Sequence, residues 1–429
     1  MNKETFAKAV ILITLLNNLA LTKAAGFGLI EQSATMGNAF AGGAAAAEDA
    51  STIYFNPAGM TYLPDNQLVM GIEAARPSAN FDNNGSHRSA LTGDFATSGG
   101  DGGDGGSWAF IPNIYFAKEV TPDIWLGIGI SPLFGLKTEY DKNWVGRYQA
   151  IKSDLKTISI NPSIAFKAND QISLGFGLSA MRAQAELTNA VDIGSLIGKP
   201  QQRDGLATVK GDDWGVGWNA GAIWQASEAT RIGLSYRSRV HQTLDGTVSF
   251  TNTPNISRFA KGGITAKLVT PGSFSFALFH QMSHQWDISS DIVWTGWSSF
   301  KDLTVIRDSG TNLSSIPQNW NNAIRVAVGS SYKYDDSLKL RAGIAYDESP
   351  VSDTYRTPRI PDSDRIWLSV GGGYKVTPFS SLDIAYTHIF FKNSTQNKVN
   401  DSPAPLNDTL KGSYDNYANV LSVQYTHSF

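Results

Sequence analysis

The chain has 429 residues, with 35 basic and 38 acidic side chains and a formal charge of −3. That balance gives no support for nucleic-acid binding. There is no cysteine, which removes disulfides, thiolate metal sites and cysteine nucleophiles. The 41 glycines, the 11% aromatic content and the lack of long apolar runs point to an all-β protein.

Lys3 and Lys8 flank the start of a mostly apolar segment, AVILITLLNNLALT, which leads into Thr22-Lys23-Ala24. This is the layout of a cleavable export signal over residues 1–24. An amphipathic anchor helix is the alternative reading. Cleavage after Ala24 leaves a mature chain that begins Ala25-Gly26-Phe27. No later run of about 20 apolar residues exists, so no transmembrane helix is expected.

Residues 25–65 do not alternate in polarity. The small-residue run Ala39–Ala47, followed by Glu48 and Asp49, suggests one or two short helices. Asn56-Pro57-Ala58-Gly59 is a turn signal. The segment reads as an N-terminal hatch, or plug, inside a wide barrel; a periplasmic tail is the plain alternative.

From residue 66 to 429, period-2 alternation recurs. Over 286–295, Trp286, Ile288, Ile292 and Trp294 oppose Asp287, Ser289, Asp291 and Thr295. Over 338–347, Leu338, Leu340, Ile344 and Tyr346 oppose Lys339, Arg341, Gly343 and Asp347. Tight turns are expected near 120–123, 167–170, 227–230, 282–285, 334–337 and 376–379. Longer polar stretches lie between them, near 82–106, 139–147, 189–212, 241–261, 300–319, 348–363 and 392–413. Short and long connectors that alternate in this way fit a transmembrane antiparallel β-barrel of about fourteen strands. In that setting the apolar face meets outer-membrane lipid and the polar face lines the lumen.

The stretch IWLGIGISPLFGLKTEY (124–140) carries Pro132 inside an apparent strand. Proline cannot donate a ladder hydrogen bond. Gly135 permits torsions that other residues avoid. Ser131, Pro132, Leu133, Phe134 and Gly135 therefore predict a kink that turns Leu133 and Phe134 toward the lumen and opens the wall. A solvated bulge beyond the membrane edge is the other reading.

Arg231, Arg237, Arg325, Arg341 and Arg365 fall on predicted lumen faces and are candidate partners for a ligand carboxylate. Asp287, Asp291, Asp347 and Asp383 share those faces, so structural ion pairs compete with that role. Val191, Ile193, Leu196 and Ile197, with Phe250, Ile256 and Phe259, are candidates for an outer capture groove or for simple loop packing. GGDGGDGG (99–106) reads as a flexible outer loop. The six histidines show no HExxH spacing, and no GxSxG elbow accompanies them. The residues point to no enzyme, metal or cofactor; an outer-membrane lipase and a receptor or passive porin remain alternatives.

Three stretches resemble the FadL family of outer-membrane long-chain fatty acid transporters. AGFGLIEQSATMGNAFAGGAAAAEDASTIYFNPAGM is similar to its N-terminal hatch and LFGLKTEY to its kinked third strand. YDESPVSDTYRTPRIPDSDRIWLSVGGGYKV is similar to a late loop-and-strand signature. The terminal Phe429 resembles the signal read by the barrel assembly machinery, with His427 a slight departure. The resemblance implies a monomeric fourteen-stranded barrel that takes up long-chain fatty acids, or aromatic and other hydrocarbons. It implies capture by outer loops, a lumen pocket that includes Phe27, and lateral release at residues 131–135.

Overall fold

The computed structural model describes residues 26–88, 95–399 and 408–429. The expected export signal, 1–24, and Ala25 of the expected mature start lie outside the described residues. Among those described, twenty strand segments form one sheet. Six consecutive pairs continue one another across a break, as Ile124–Ser131 does into Gly135–Glu139, which leaves fourteen staves. All pairings are antiparallel between neighbours, and the first strand, Gln67–Asn83, closes the barrel on the last, Thr409–Ser428. Closure leaves no open edge.

Short turns join Thr121 to Ile124, Lys167 to Ile172, Ser227 to Thr230, Gln281 to Trp286, Lys333 to Leu338 and Thr377 to Ser380. The outward face carries exposed Leu, Ile, Val and Phe. Trp224, Trp286, Tyr374 and Phe379 stand exposed near the short-turn end, and Trp214, Tyr346 and Tyr417 toward the other. This is the aromatic girdle of a membrane barrel. No helix among the described residues is long and apolar enough to cross a membrane.

Several stretches expected as outer connectors are instead strand. Val240–Thr251, Asp302–Arg307 and Ser394–Val399 extend the wall beyond the membrane band. The first of these, and the neighbouring Gly262–Thr270, reverse their facing. Leu234 and Tyr236 point out to lipid, but past the break at Ser238-Arg239 the buried, inward residues are Val240, Leu244 and Val248, while His241, Thr243 and Asp245 are exposed. The eighth strand does the same across Pro271-Gly272: Phe274 and Phe276 face out, and Ile264, Ala266 and Leu268 face in. A shift of one residue swaps the two faces of a strand. On these two strands the outer lumen face is therefore largely apolar, not polar as the simple alternation implies.

Residues 26–65 pack within the ring. The short helix Ala34–Asn38 lies against the tenth to fourteenth strands, Gly43–Ala46 against the sixth to ninth, and Pro57–Tyr62 against the third to sixth. Contact this close needs wall residues without side chains. A Cβ on Gly233 would lie 2.0 Å from the Ala44 carbonyl oxygen, and one on Gly343 2.2 Å from the Asn38 backbone.

Candidate functional site

Pro132 does interrupt the third strand. The strand pairs with the second only up to Ile130 opposite Ile114, and resumes at Gly135 paired with the fourth strand alone. Residues 109–113 of the second strand therefore have a partner on one side only, the first strand. Pro112, which cannot donate, sits in this half-paired stretch. The wall is unpaired between that stretch and the resumed third strand.

The backbone groups released at the kink are satisfied from inside. The Thr157 hydroxyl accepts from the N–H groups of Leu133 at 3.2 Å and Phe134 at 2.9 Å, and donates to the Phe134 carbonyl at 2.8 Å. The start of the N-terminal segment supplies the rest. Leu29 N–H donates to the Leu133 carbonyl at 3.0 Å, and Gly135 N–H to the Phe27 carbonyl at 2.9 Å. Gln32 Nε2 donates to the Pro132 carbonyl at 2.6 Å, and Gln32 Oε1 accepts from Tyr115 of the second strand at 3.0 Å. Gln32 thus bridges both sides of the unpaired stretch; sequence reasoning passed over it. In a membrane wall such groups cost several kcal/mol each when left unmade.

Gly135 requires correction. It does not occupy the left-handed region. Its smallness serves packing: a Cβ there would lie 3.0 Å from Leu29 Cδ1.

Leu133 and Phe134 are buried in one apolar cluster with Phe27, Trp297, Phe300 and Trp320. Phe27 is 3% exposed, and its ring centroid lies 4.7 Å from that of Trp297, 5.5 Å from Phe300, 5.6 Å from Trp320 and 6.0 Å from Phe134. Ser131 is buried and pairs with Ser159. A cavity of about 560 Å³ opens beside this cluster. Its lining includes Phe27, Leu29 and Leu155 on the lumen side and Phe110, Pro112 and Ile158 on the outer side. Its lining thus includes residues on both faces of the wall beside the unpaired stretch.

The NPAG turn is a fastening. Asn56 is fully buried, caps Pro57–Tyr62 by accepting from Ala58 N–H at 3.1 Å, and donates through Nδ2 to the carbonyls of Ala44, Ala222 and Leu234. Gly59 N–H closes the turn onto the Asn56 carbonyl at 2.9 Å.

All five candidate arginines touch the N-terminal segment 26–65. Arg231 lies over the Tyr62 ring, 5.1 Å from its centroid. Arg237 donates to the Tyr54 carbonyl at 2.8 Å. Arg325 donates to the Ala39 carbonyl and sits 3.4 Å from Asp291. Arg341 joins Glu48 at 2.9 Å to Asp383 at 2.7 Å. Arg365 donates to the Gly26 carbonyl at 3.2 Å and to Asp362 at 2.8 Å. Burial pushes the Glu48 carboxyl up, but Lys339 and Arg341 outweigh it and hold the group far below the usual carboxylate range. A second cavity, of about 690 Å³, lies on the short-turn side of the N-terminal segment, and its lining includes Glu48, Arg231 and Arg341.

The GGDGGDGG stretch differs from a free loop. Gly105 N–H bonds the Ala79 carbonyl at 3.0 Å, and Asp104 pairs with Arg76 at 2.9 Å, so backbone bonds tie it to the first strand. Leu196, Ile197 and Ile256 are exposed, whereas Phe259 is buried and stacks obliquely on Phe250 at 5.5 Å.

A family profile described as "Outer membrane protein transport protein (OMPP1/FadL/TodX)" matches residues 18–429. The chain belongs to this family. Outer membrane protein P1 of Haemophilus influenzae is 31% identical over 99% of this chain and 100% of its own length. A long-chain fatty acid transport protein of Escherichia coli O6:H1 is 30% identical over 90% of this chain and 92% of its own. The crystal structure of a Pseudomonas aeruginosa FadL homologue superposes with a TM-score of 0.88 at 26% identity, over 94% of this chain and all of that one. Members of the FadL/TodX family are outer-membrane transporters of hydrophobic compounds, and the protein is an outer-membrane barrel of that class.

Proposed function

We propose that the protein takes up long-chain fatty acids across the outer membrane. In this reading the outer loops capture the ligand, the cavity beside Phe27 holds its tail, and the gap at Pro132 releases it sideways into the bilayer. One observation carries the proposal: a single cavity touches both the Phe27 cluster and the outward residues Phe110 and Ile158. Its volume falls within the usual range for ligand pockets, about 300–1,000 Å³. Each buried methylene contributes about 0.8 kcal/mol, so a sixteen-carbon tail gains on the order of 10 kcal/mol in an apolar slot. A water-filled pore offers no such gain. The similarity to the Escherichia coli fatty acid transport protein favours this ligand over aromatic hydrocarbons.

Residues 25–65 then act as a hatch, residues 66–429 as the barrel, and residues 1–24 as a removed export signal. The hatch start is the movable part, because it both fills the gap from inside and borders the cavity. The five arginines act mainly as its fastenings. Phe429 serves as the assembly signal of a monomeric barrel that needs no cofactor and catalyses no reaction.

The test is uptake of labelled oleate against labelled toluene in a strain without its own transporter. Oleate uptake is expected, and Pro132→Val combined with Gly135→Val is expected to abolish it while the barrel still folds. Uptake that survives in the sealed variant refutes lateral release. Toluene uptake without oleate uptake refutes the ligand.

A further inference from the structure

The outward rim of the wall opening carries lysines. Past the kink, the third strand runs outward as Gly135–Glu139, paired only with the fourth, Lys152–Lys167. Lys137 stands opposite Asp154, and Thr138 opposite Ser153. Thr138 and Ser153 are buried, and Thr138 donates to the Arg359 carbonyl inside the barrel. Alternation therefore turns Lys137, Asp154 and Lys156 to the outside. All three line the mouth of the cavity of about 560 Å³, and the Lys156 side chain is 71% exposed.

These positive charges are only partly answered. Asp154 lies 3.1 Å from Lys156 and 3.9 Å from Lys152. Glu186, on the fifth strand, is held by Lys152 at 3.2 Å and Lys210 at 3.4 Å, and Glu139 stands farther out, opposite Lys152. Arg76, on the first strand, is taken by Asp104 at 2.9 Å. Lys137 forms no ion pair among the described residues. At the mouth itself, two lysines thus face one carboxylate.

The rim is apolar beneath them. Ile158 follows Lys156 on the same face of the fourth strand. On the second-strand side, Trp108 and Phe110 stand exposed and stacked, with ring centroids 6.3 Å apart. The fourth strand starts at the long-connector end, so its lysine lies one step outward of its isoleucine, on the side of the outer leaflet. An exposed tryptophan at this height suits the boundary between head groups and acyl chains. Cations above an apolar slot that reaches the lipid face fit an amphiphile held by phosphate and chain together.

We propose that this rim binds a phosphorylated, multiply acylated glycolipid of the outer leaflet, with a phosphate between Lys137 and Lys156 and an acyl chain against Phe110 and Ile158. A soluble phosphate has no chain for the apolar part, and a lipid of the inner leaflet cannot reach the lysines. The chain closes from the lipid side an opening that the N-terminal segment closes from within. The site lies on the outside of the wall, apart from the Phe27 cluster, and it holds whichever way transport runs.

Native mass spectrometry of the purified full-length barrel in detergent tests this with three probes: bisphosphorylated lipid A, dephosphorylated lipid A and dioleoyl phosphatidylglycerol. Wild-type protein is expected to prefer bisphosphorylated lipid A over both others. Lys137→Ala combined with Lys156→Ala is expected to weaken it by about thirtyfold, roughly fivefold for each lysine, and to leave dephosphorylated lipid A unchanged. The same two positions changed to arginine should retain binding. Lys333→Ala with Lys375→Ala, exposed at the short-turn end, should have no effect. Phe110→Ser with Ile158→Ser should weaken both forms of lipid A. Equal binding of the two forms by wild-type protein, or undiminished binding by the double alanine variant, overturns the phosphate site. An equal loss in the short-turn variant reduces the effect to general charge attraction and overturns it too. Phosphatidylglycerol bound as tightly as lipid A overturns the glycolipid assignment, and serine variants that bind normally overturn the place of the chain.

Discussion

Replacing Phe27 with alanine should release the start of the hatch and little else. Phe27 is 3% exposed and sits among four aromatic rings within 6.0 Å. Truncating a buried phenylalanine to alanine costs about 3–5 kcal/mol. Three hydrogen bonds from backbone amides also hold this segment: Gly26 N–H to the Asp362 carboxylate, Leu29 N–H to the Leu133 carbonyl and Gly135 N–H to the Phe27 carbonyl. At about 1 kcal/mol net each, together they are worth no more than the ring, so its loss removes a large part of the anchoring, while the Arg365–Gly26 and Gln32–Pro132 bonds remain. A loss of 3 kcal/mol weakens docking by roughly a hundredfold. Hydrogen exchange followed by mass spectrometry reads this directly. The Leu29 and Gly135 amides should exchange faster by about that factor, while amides of the far wall, such as those pairing 286–295 with 323–332, should not change. Exchange that is unaltered over 26–32 would show that Phe27 does not anchor the segment. Acceleration throughout the barrel would show that it stabilises the fold rather than a movable end.

Two further outcomes follow from the same geometry. Thr157→Val keeps the shape of the side chain but strips three hydrogen bonds from the kink; at about 1–3 kcal/mol for each buried donor left unmade, the Leu133 and Phe134 amides should lose protection, and Thr157→Ser should restore it. Burial raises the Glu31 carboxyl above its ordinary 4.5, and Arg365 and Arg325 offset only part of that rise. The docked hatch therefore binds its proton more firmly than the undocked one, so docking is strongest at low pH and weakens as pH rises through the docked value. Glu31 also faces Glu73, Asp347 and Tyr54, but Glu31→Gln should flatten this dependence in exchange measured across pH, and an unchanged slope would assign it to one of those groups.

The barrel was legible because its signal is one-dimensional. Alternation and connector length are properties of the chain alone, and 286–295 reads the same in isolation as in the wall. Pro132 was legible for the same reason: a missing donor needs no neighbour to be noticed. The outer extensions were not. Val240, Leu244 and Val248 alternate correctly, yet they continue from Leu234 and Tyr236 on the opposite face. Only the break at Ser238-Arg239 says so, and nothing in those two residue types announces a change of phase.

The arginines show a deeper limit. Parity placed five of them on lumen faces, but parity cannot say what fills the lumen. Once the hatch is inside, Arg341 meets Glu48, Arg365 meets Gly26, and their charge is answered before any ligand arrives. The gap behaves likewise. Pro132 marks one edge, but an opening in a sheet is a property of two strands, and its second edge is the half-paired run that contains Pro112. Gln32 joins those edges from a third element that lies a hundred residues from Pro132. A wall that can open needs something inside to satisfy it when shut. The mobile element should therefore be sought among the hatch residues that bond the kink, rather than in the kink itself, which keeps its bend through Thr157 whether or not the hatch is docked.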